Sequence, residues 1–277
     1  MQIISTVAQL RARLGCERAI AFVPTMGNLH EGHLNLMRLA REHGDCVVAS
    51  IFVNPLQFGP NEDFDQYPRT LDADCAKLQG LVDVVFAPSV SEMYPVPQTV
   101  FVEPPPVANE LCGAARPGHF RGMATVVLKL LNIVQPQTAL FGKKDYQQLH
   151  IIRQLVTQLN LPVGIIGGET VRAKDGLALS SRNQYLTDAE RNEAVFLSRT
   201  LQTMRQDLLQ GDCDFTLLQQ QAVKALSDRG WSVDYVAIRN QSDLQPASGG
   251  QRDLVILAAA RLGKTRLLDN VEVSVGE

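Results

Sequence analysis

Three short apolar runs, residues 19–23, 46–53 and 83–87, alternate with amphipathic helical stretches. Near-continuous apolar runs mark strands covered on both faces, and their alternation with helices marks a parallel sheet. The pattern changes near Val171, where two long amphipathic stretches precede three strand-like runs. The sequence therefore predicts an α/β protein: a Rossmann-like parallel sheet with helices on both faces, plus a smaller C-terminal α+β domain. The boundary is placed at residue 172, dividing the chain into 1–172 and 173–277.

Residues 6–14 read as a short amphipathic helix leading into the first strand, 19–23 (AIAFV). Pro24 and Gly27 break that strand, and from Gly32 onward Leu36, Leu39 and Ala40 recur at helical spacing. The second strand, 46–53 (CVVASIFV), stops at Asn54 and Pro55; a polar loop, 56–69, leads to a helix at 71–81 and a third strand at 83–87. Residues 88–106 carry six prolines and one extended stretch, 99–102. A loop at 112–122 precedes a helix at 123–134, a strand at 138–141, a helix at 144–159 and a strand at 162–166. In the second domain, helices at 188–209 and 215–227 are followed by strands at 231–238, 253–259 and 265–271, with Gly249, Gly250 and Gly263 at the turns.

The 277 residues are 45% apolar and 20% charged, the composition of a soluble globular protein. A net charge of −3, from 26 basic and 29 acidic residues, gives no reason to expect nucleic acid or a membrane surface as partner. Five scattered cysteines without a C-x-x-C pair support neither a disulfide framework nor a cysteine zinc site. They read as free thiols in a reducing compartment. The N-terminal stretch has no basic start followed by a long apolar core, and no apolar run approaches the roughly 20 residues of a membrane span. A cytoplasmic location is expected.

Four constellations carry the chemistry. His30 and His33 lie on a strand-to-helix turn, where a parallel sheet binds ligands and a helix start offers free N–H groups to a phosphate. H-E-G-H is not a zincin motif, because its histidines are three apart, Gly32 lies between them and no third ligand is evident. Alone they read as two surface histidines; with Gly27 and Gly32 shaping the turn, they suit phosphate oxygens that gain charge during transfer. At 141–148 (FGKKDYQQ), Lys144 and Gln148 share a helix face, and the lysine can neutralise a phosphate. At 177–183 (LALSSRN), two hydroxyls and Arg182 can hold oxyanions. At 53–67 (VNPLQFGPNEDFDQY), Asn54 and Gln57 follow a strand end and share the rim with His30.

The first constellation resembles the nucleotidyltransferase superfamily with its H-x-G-H motif. Taken in order, P-T-M-G-N-L-H-E-G-H, V-N-P-L-Q-F, F-G-K-K-D-Y-Q-Q and L-S-S-R-N resemble the pantoate–β-alanine ligase family, as does R-P-G-H-F-R-G at 116–122. The resemblance runs to about Asn183 and is looser beyond. Leu179 stands where that family usually has Met, a swap that keeps an apolar side chain of similar volume.

The resemblance implies that Met26, Gly27, Asn28, Leu29, His30, Glu31, Gly32 and His33 form an ATP site, with His33 as the acid. It adds Gly142, Lys143, Lys144 and Asp145 to that site, and Val171, Leu179, Ser180, Ser181 and Arg182 closing over the nucleotide. His30, His33, Lys144 and Arg182 would be catalytic; Asn54, Gln57 and Gln148 would hold the small substrates. It further implies Mg²⁺ with the triphosphate instead of in a dedicated metal site, and a homodimer. The expected reaction joins (R)-pantoate to β-alanine through pantoyl adenylate, releasing pyrophosphate and AMP. The H-x-G-H motif by itself would also fit a relative that adenylates a different acid. A P-loop is not expected at 258–265 (AAARLGKT), because Ala258 replaces the first glycine and few residues follow; the stretch reads as a turn between two strands.

Overall fold

A computed structural model describes residues 1–60, 62–211 and 214–275. Of the five cysteines, Cys213 lies outside the described residues; Cys16, Cys46, Cys75 and Cys112 are free thiols.

The chain begins with a short strand, β1 (Gln2–Ile4), and α1 (Val7–Leu14), whose N-cap Thr6 accepts a hydrogen bond from the Gln9 N–H. Then follow β2 (Ile20–Thr25), α2 (Glu31–Arg41), β3 (Cys46–Ile51), α3 (Leu71–Leu78), β4 (Val84–Phe86), α4 (Val90–Met93) and α5 (Cys112–Ala115). The first half closes with α6 (His119–Val134), β5 (Thr138–Gly142), α7 (Tyr146–Gln158) and β6 (Gly164–Gly168). The six strands pair in the order β1-β4-β3-β2-β5-β6, every pair parallel. The apolar runs of β2, β3 and β4 are almost wholly buried, as strands covered on both faces must be.

From β2 the chain winds outward through β3 and β4; from β5 it winds the other way to β6. The winding therefore reverses between β2 and β5, which are neighbours in register Ala21↔Thr138 and Phe22↔Ala139. A crevice opens at the carboxyl ends of strands at such a reversal. This brings the residues after β2, including His30, beside those after β5, including Lys144.

The C-terminal part has α8 (Asp188–Leu209), opened by a Thr187–Glu190 capping box, then α9 (Phe215–Ser227). An antiparallel sheet follows, β7 (Ser232–Asn240), β8 (Asp253–Leu262) and β9 (Thr265–Ser274). On β8, Leu254, Ile256 and Ala258 pack into a core with α8 and α9, whereas Val255 and Leu257 join the core around α6 and α7. The sheet is thus a layer between two sets of helices. The stretch AAARLGKT forms the end of β8, a tight turn at Gly263 and the start of β9.

The fold class agrees with the sequence reading, and several element limits differ. Helix α6 begins at His119, not Met123, because Gly118 turns the chain at φ +81° and Phe120 and Gly122 are already buried inside the helix. The FGKKD stretch makes a single 3-10 turn, Lys143–Asp145, before α7. Residues 99–102 form no strand, and β1, α4 and α5 are too short for periodicity to reveal. No helix among the described residues is long and apolar enough to cross a membrane.

Candidate active site

The turn after β2 needs backbone that few residues adopt: Gly27 has φ +83° and Asn28 φ +51°. A side chain from α3 holds it there. The carboxylate of Asp74, 0% exposed, accepts the N–H groups of Asn28 (2.8 Å) and Leu29 (2.7 Å) and the hydroxyl of Thr70 (3.0 Å). One helical turn on, Lys77 donates to the Leu29 carbonyl at 2.6 Å.

Helix α2 opens with an unusual cap built from its two histidines. His30 Nδ1 accepts from the Gly32 N–H (3.2 Å), and His33 Nδ1 accepts from the His30 N–H (3.3 Å). Because each Nδ1 is an acceptor, each ring carries its proton on Nε2. The rings lie 4.1 Å apart, centroid to centroid. Burial, reinforced by His33 and then Lys144, pushes His30 down to about 3; burial pushes His33 down to about 4, with Lys144 adding to the fall and Asp145 opposing it. Both imidazoles are therefore neutral Nε2–H donors near pH 7.

After β5, Lys144 and Asp145 face the same cleft, while Lys143 turns away to Glu169 (2.6 Å) and Glu272 (2.8 Å). Opposite them, residues 171–179 form a narrow hairpin: Arg172 bridges Ala178, and the Leu179 N–H bonds the Val171 carbonyl. The 3-10 turn Ser181–Tyr185 follows, capped by Ser180. Ser181 Oγ donates to the Asn28 carbonyl (3.1 Å), joining this turn to the His30 loop. The Arg182 guanidinium forks onto Asp63 at 3.0 and 3.2 Å.

The other end of the cleft is built on the turn after β3. Asn54 is buried with every polar position engaged: Nδ2 donates to Gln57 Oε1 (3.1 Å) and the Gly122 carbonyl (3.2 Å), and Oδ1 accepts from Tyr94 Oη (2.7 Å) and the Leu56 N–H (3.3 Å). Asn54 therefore fixes Gln57. The Gln57 carbonyl is held in turn by His119 Nδ1 (2.8 Å), and Arg116 bridges His119 to Glu62. Burial, then Arg116, pushes His119 down to about 4, so it too is neutral. Apolar side chains of Met123, Val126, Val127 and Phe141 line this end, with Gln148 on the rim.

These parts enclose one cleft of about 640 Å³ between the parallel sheet and the C-terminal layer. Met26, His30, Gly32, His33, Asn54, Gln57, Gly142, Lys144, Asp145, Gln148, Val171, Leu179, Ser180, Ser181 and Arg182 all line it. Gly27 and Leu29 are buried beneath its wall, Asn28 faces Ser181 at its edge, and Glu31 is exposed and paired with Arg38. Sequence reasoning passes over Asp74, Lys77 and Asp63, and gives no role to Arg116 or His119. Asp74 and Lys77, three apart on α3, carry a signal, but an identical pair is usual on any solvated helix.

One end of the cleft thus presents cationic and N–H donors, and the other an amide beside apolar carbon. The donors at the first end suit phosphate oxygens, and among the described residues no group of three or more His, Cys, Asp or Glu could hold a metal ion; a divalent ion there would take its ligands from the phosphates and water. The family described as pantoate-beta-alanine ligase matches residues 2–272. The pantothenate synthetase of Methylobacillus flagellatus is 60% identical over 276 residues, 99% of each chain. That of Nitrosospira multiformis is 58% identical over the same share. Among solved structures, pantothenate synthetase from Thermus thermophilus superposes with a TM-score of 0.94 at 47% identity, covering 99% of this chain and 100% of that one. A Francisella tularensis pantoate-beta-alanine ligase, complexed with beta-gamma ATP and beta-alanine, superposes at 0.81 with 37% identity, covering 98% and 97%.

Proposed function

The chain belongs to the pantoate–β-alanine ligase family, and from that premise we propose how its residues divide the work. The reaction is the ATP-dependent joining of pantoate to β-alanine. In our reading ATP lies across residues 26–33, with His30, His33 and Lys144 on the phosphates and Asp145 on the ribose. Residues 171–182 cover the nucleotide, Arg182 leaving Asp63 for a phosphate. Pantoate sits at the amide end, its hydroxyls on Gln57 and Gln148 and its branched carbon on Met123, Val126 and Val127.

The carboxylate of pantoate attacks the α-phosphorus of ATP, giving pantoyl adenylate and pyrophosphate. The β-alanine amine then attacks the activated carbonyl, forming the amide as AMP leaves. No protein nucleophile is needed; alignment and fixed donors lower the barrier. His33 meets the triphosphate as a neutral donor, and the negative charge it faces there favours its protonated form, which gives up the Nδ1 bond to the His30 N–H and can act as the acid when pyrophosphate departs. No protein cage would be needed for Mg²⁺, which would be held by the triphosphate oxygens and water beside His30, His33 and Lys144 and would supply charge neutralisation there.

The observation that carries this reading is the pair of Nε2–H donors locked by the α2 cap beside Lys144. The domain boundary near 172 belongs to the same proposal, supported by the separate apolar core that spans Leu177 to Val273. A homodimer, which the family resemblance implies, completes it; light scattering checks the mass. The test of the site is pantoate-dependent exchange of labelled pyrophosphate into ATP. His33→Ala and Lys144→Ala should each slow exchange on the order of a hundredfold while the protein stays folded. Near-normal exchange in either variant refutes the assignment.

A further inference from the structure

Strand β9 reaches across from the C-terminal sheet to the turn that carries Lys144. Its residues alternate in direction, and Asn270 and Glu272 face the parallel-sheet half. Both amide hydrogens of Asn270, buried with 6% exposure, go to consecutive carbonyls: Lys143 at 3.0 Å and Lys144 at 2.8 Å. Glu272 holds the same turn from outside, accepting from Tyr146 Oη (2.9 Å) and Lys143 Nζ (2.8 Å). Two consecutive carbonyl directions determine the peptide planes flanking Lys144, and with them the direction in which its side chain leaves the backbone.

The neighbouring residue faces the other way. Asp269, 4% exposed, takes both ends of the Arg172 guanidinium at 2.7 and 2.8 Å, and Arg172 also donates to the Asn270 carbonyl at 3.1 Å. Arg172 is the foot of the hairpin that leads to residues 179–182. One dipeptide on a paired strand, with Asn270 opposite Leu257, therefore sets the spacing between the lysine and the segment on the far wall.

We propose that Asn270 is a positioning residue for the ligase reaction, orienting Lys144 toward the triphosphate, with Asp269 fixing the facing segment from the same point on β9. The inference rests on the reading that Lys144 meets the phosphates. Asn270→Asp keeps the size of the side chain but sets a carboxylate, which has no donor hydrogens, against two carbonyls; Asn270→Ala simply removes the amide. Each should lower kcat of pantoate-dependent pyrophosphate exchange about tenfold to a hundredfold, with KM for ATP changed less than about threefold, since misplacing a catalytic group acts on the transition state. A purely structural role would not depend on the lysine side chain, so the same substitutions are repeated in a Lys144→Ala background, alongside melting curves. There Asn270→Ala should change the residual exchange less than about twofold, because the group it orients is gone. An equal loss in both backgrounds, or unchanged kcat in Asn270→Asp, overturns the positioning role. Normal exchange in Lys144→Ala overturns the site reading and this inference with it.

Discussion

Gly122 lies against the backbone of the turn that carries Gln57, and Gly122→Ala is the sharpest test of the proposed pantoate end. A Cβ there would lie 1.9 Å from the Leu56 carbonyl oxygen, 2.3 Å from its carbon and 2.7 Å from the Gln57 nitrogen. All three are backbone atoms, so no rotamer relieves the clash. Contact at about 3.5 Å requires the Asn54–Gln57 turn to retreat by roughly 1.6 Å. The Asn54 to Gly122 hydrogen bond, 3.2 Å long, is strained by the same movement. A 1 Å misplacement of a positioning group costs on the order of a hundredfold in rate, about 2.7 kcal/mol of transition-state stabilisation. Stability changes less, because better helix propensity returns roughly 1 kcal/mol against about 1–3 kcal/mol of overpacking. Exchange kinetics over a range of pantoate concentrations should show kcat/KM for pantoate down about a hundredfold, and titration calorimetry should show ATP binding nearly unchanged. Wild-type kcat/KM for pantoate in a folded Gly122→Ala protein refutes the placement of pantoate on Gln57.

Three further outcomes follow from the same contacts. Asp74→Ala orphans the Asn28 and Leu29 N–H groups at a cost of roughly 1–3 kcal/mol each; chemical denaturation should show that loss and exchange should fall at least about tenfold, and an unchanged KM for ATP would remove Asp74 from the support of the His30 loop. Asp63→Asn frees Arg182 from a half-buried pair worth about 1 kcal/mol, so KM for ATP should drop by up to about fivefold, and a rise would mean that Asp63 itself assists binding. His30, His33 and His119 are pushed down to about 3, 4 and 4. Between about pH 4 and 6.5 the unfolded chain binds protons on these residues that the folded protein refuses, so stability is present above 6.5 and lost as pH falls, with a slope of up to about 1.4 kcal/mol per pH unit per histidine. Melting curves from pH 7 to 4.5 should show this decline, and a shallower one in His119→Gln.

Much of the site is legible because local sequence determines it. A strand followed by Gly27 and a helix start fixes where the histidines stand, although β2 runs through Pro24 to Thr25 instead of breaking there; Ala19 to Val23 and residues 138–141 mark the two strands whose adjacency brings Lys144 beside them. The wholly apolar residues 254–260 also announce a strand covered on both faces, as β8 is. What sequence does not yield is the partnering of polar groups far apart in the chain. Asp74 looks like any acidic residue of a helix start until two N–H groups from 46 and 45 residues away are found on it. The start of α6 escapes sequence reasoning for a related reason: Gly122 signals a loop in local terms, whereas here it allows a helix to lie against the Leu56 carbonyl.

The cap of α2 joins these two kinds of information. Histidine is a poor choice for a helix N-cap where Ser, Thr, Asn or Asp would serve better. Two of them in the cap and N3 positions make sense when the second ring nitrogen is needed elsewhere. The hydrogen bonds that start the helix use both Nδ1 atoms and so settle which nitrogen carries the proton; burial then keeps the rings uncharged until an anion arrives. Replacing His30 by Asn would keep the cap and lose the outward donor. A His30→Asn protein should therefore melt within a few degrees of the parent while exchange falls on the order of a hundredfold. A protein that instead loses stability and activity in proportion would show the histidine to be a structural cap alone.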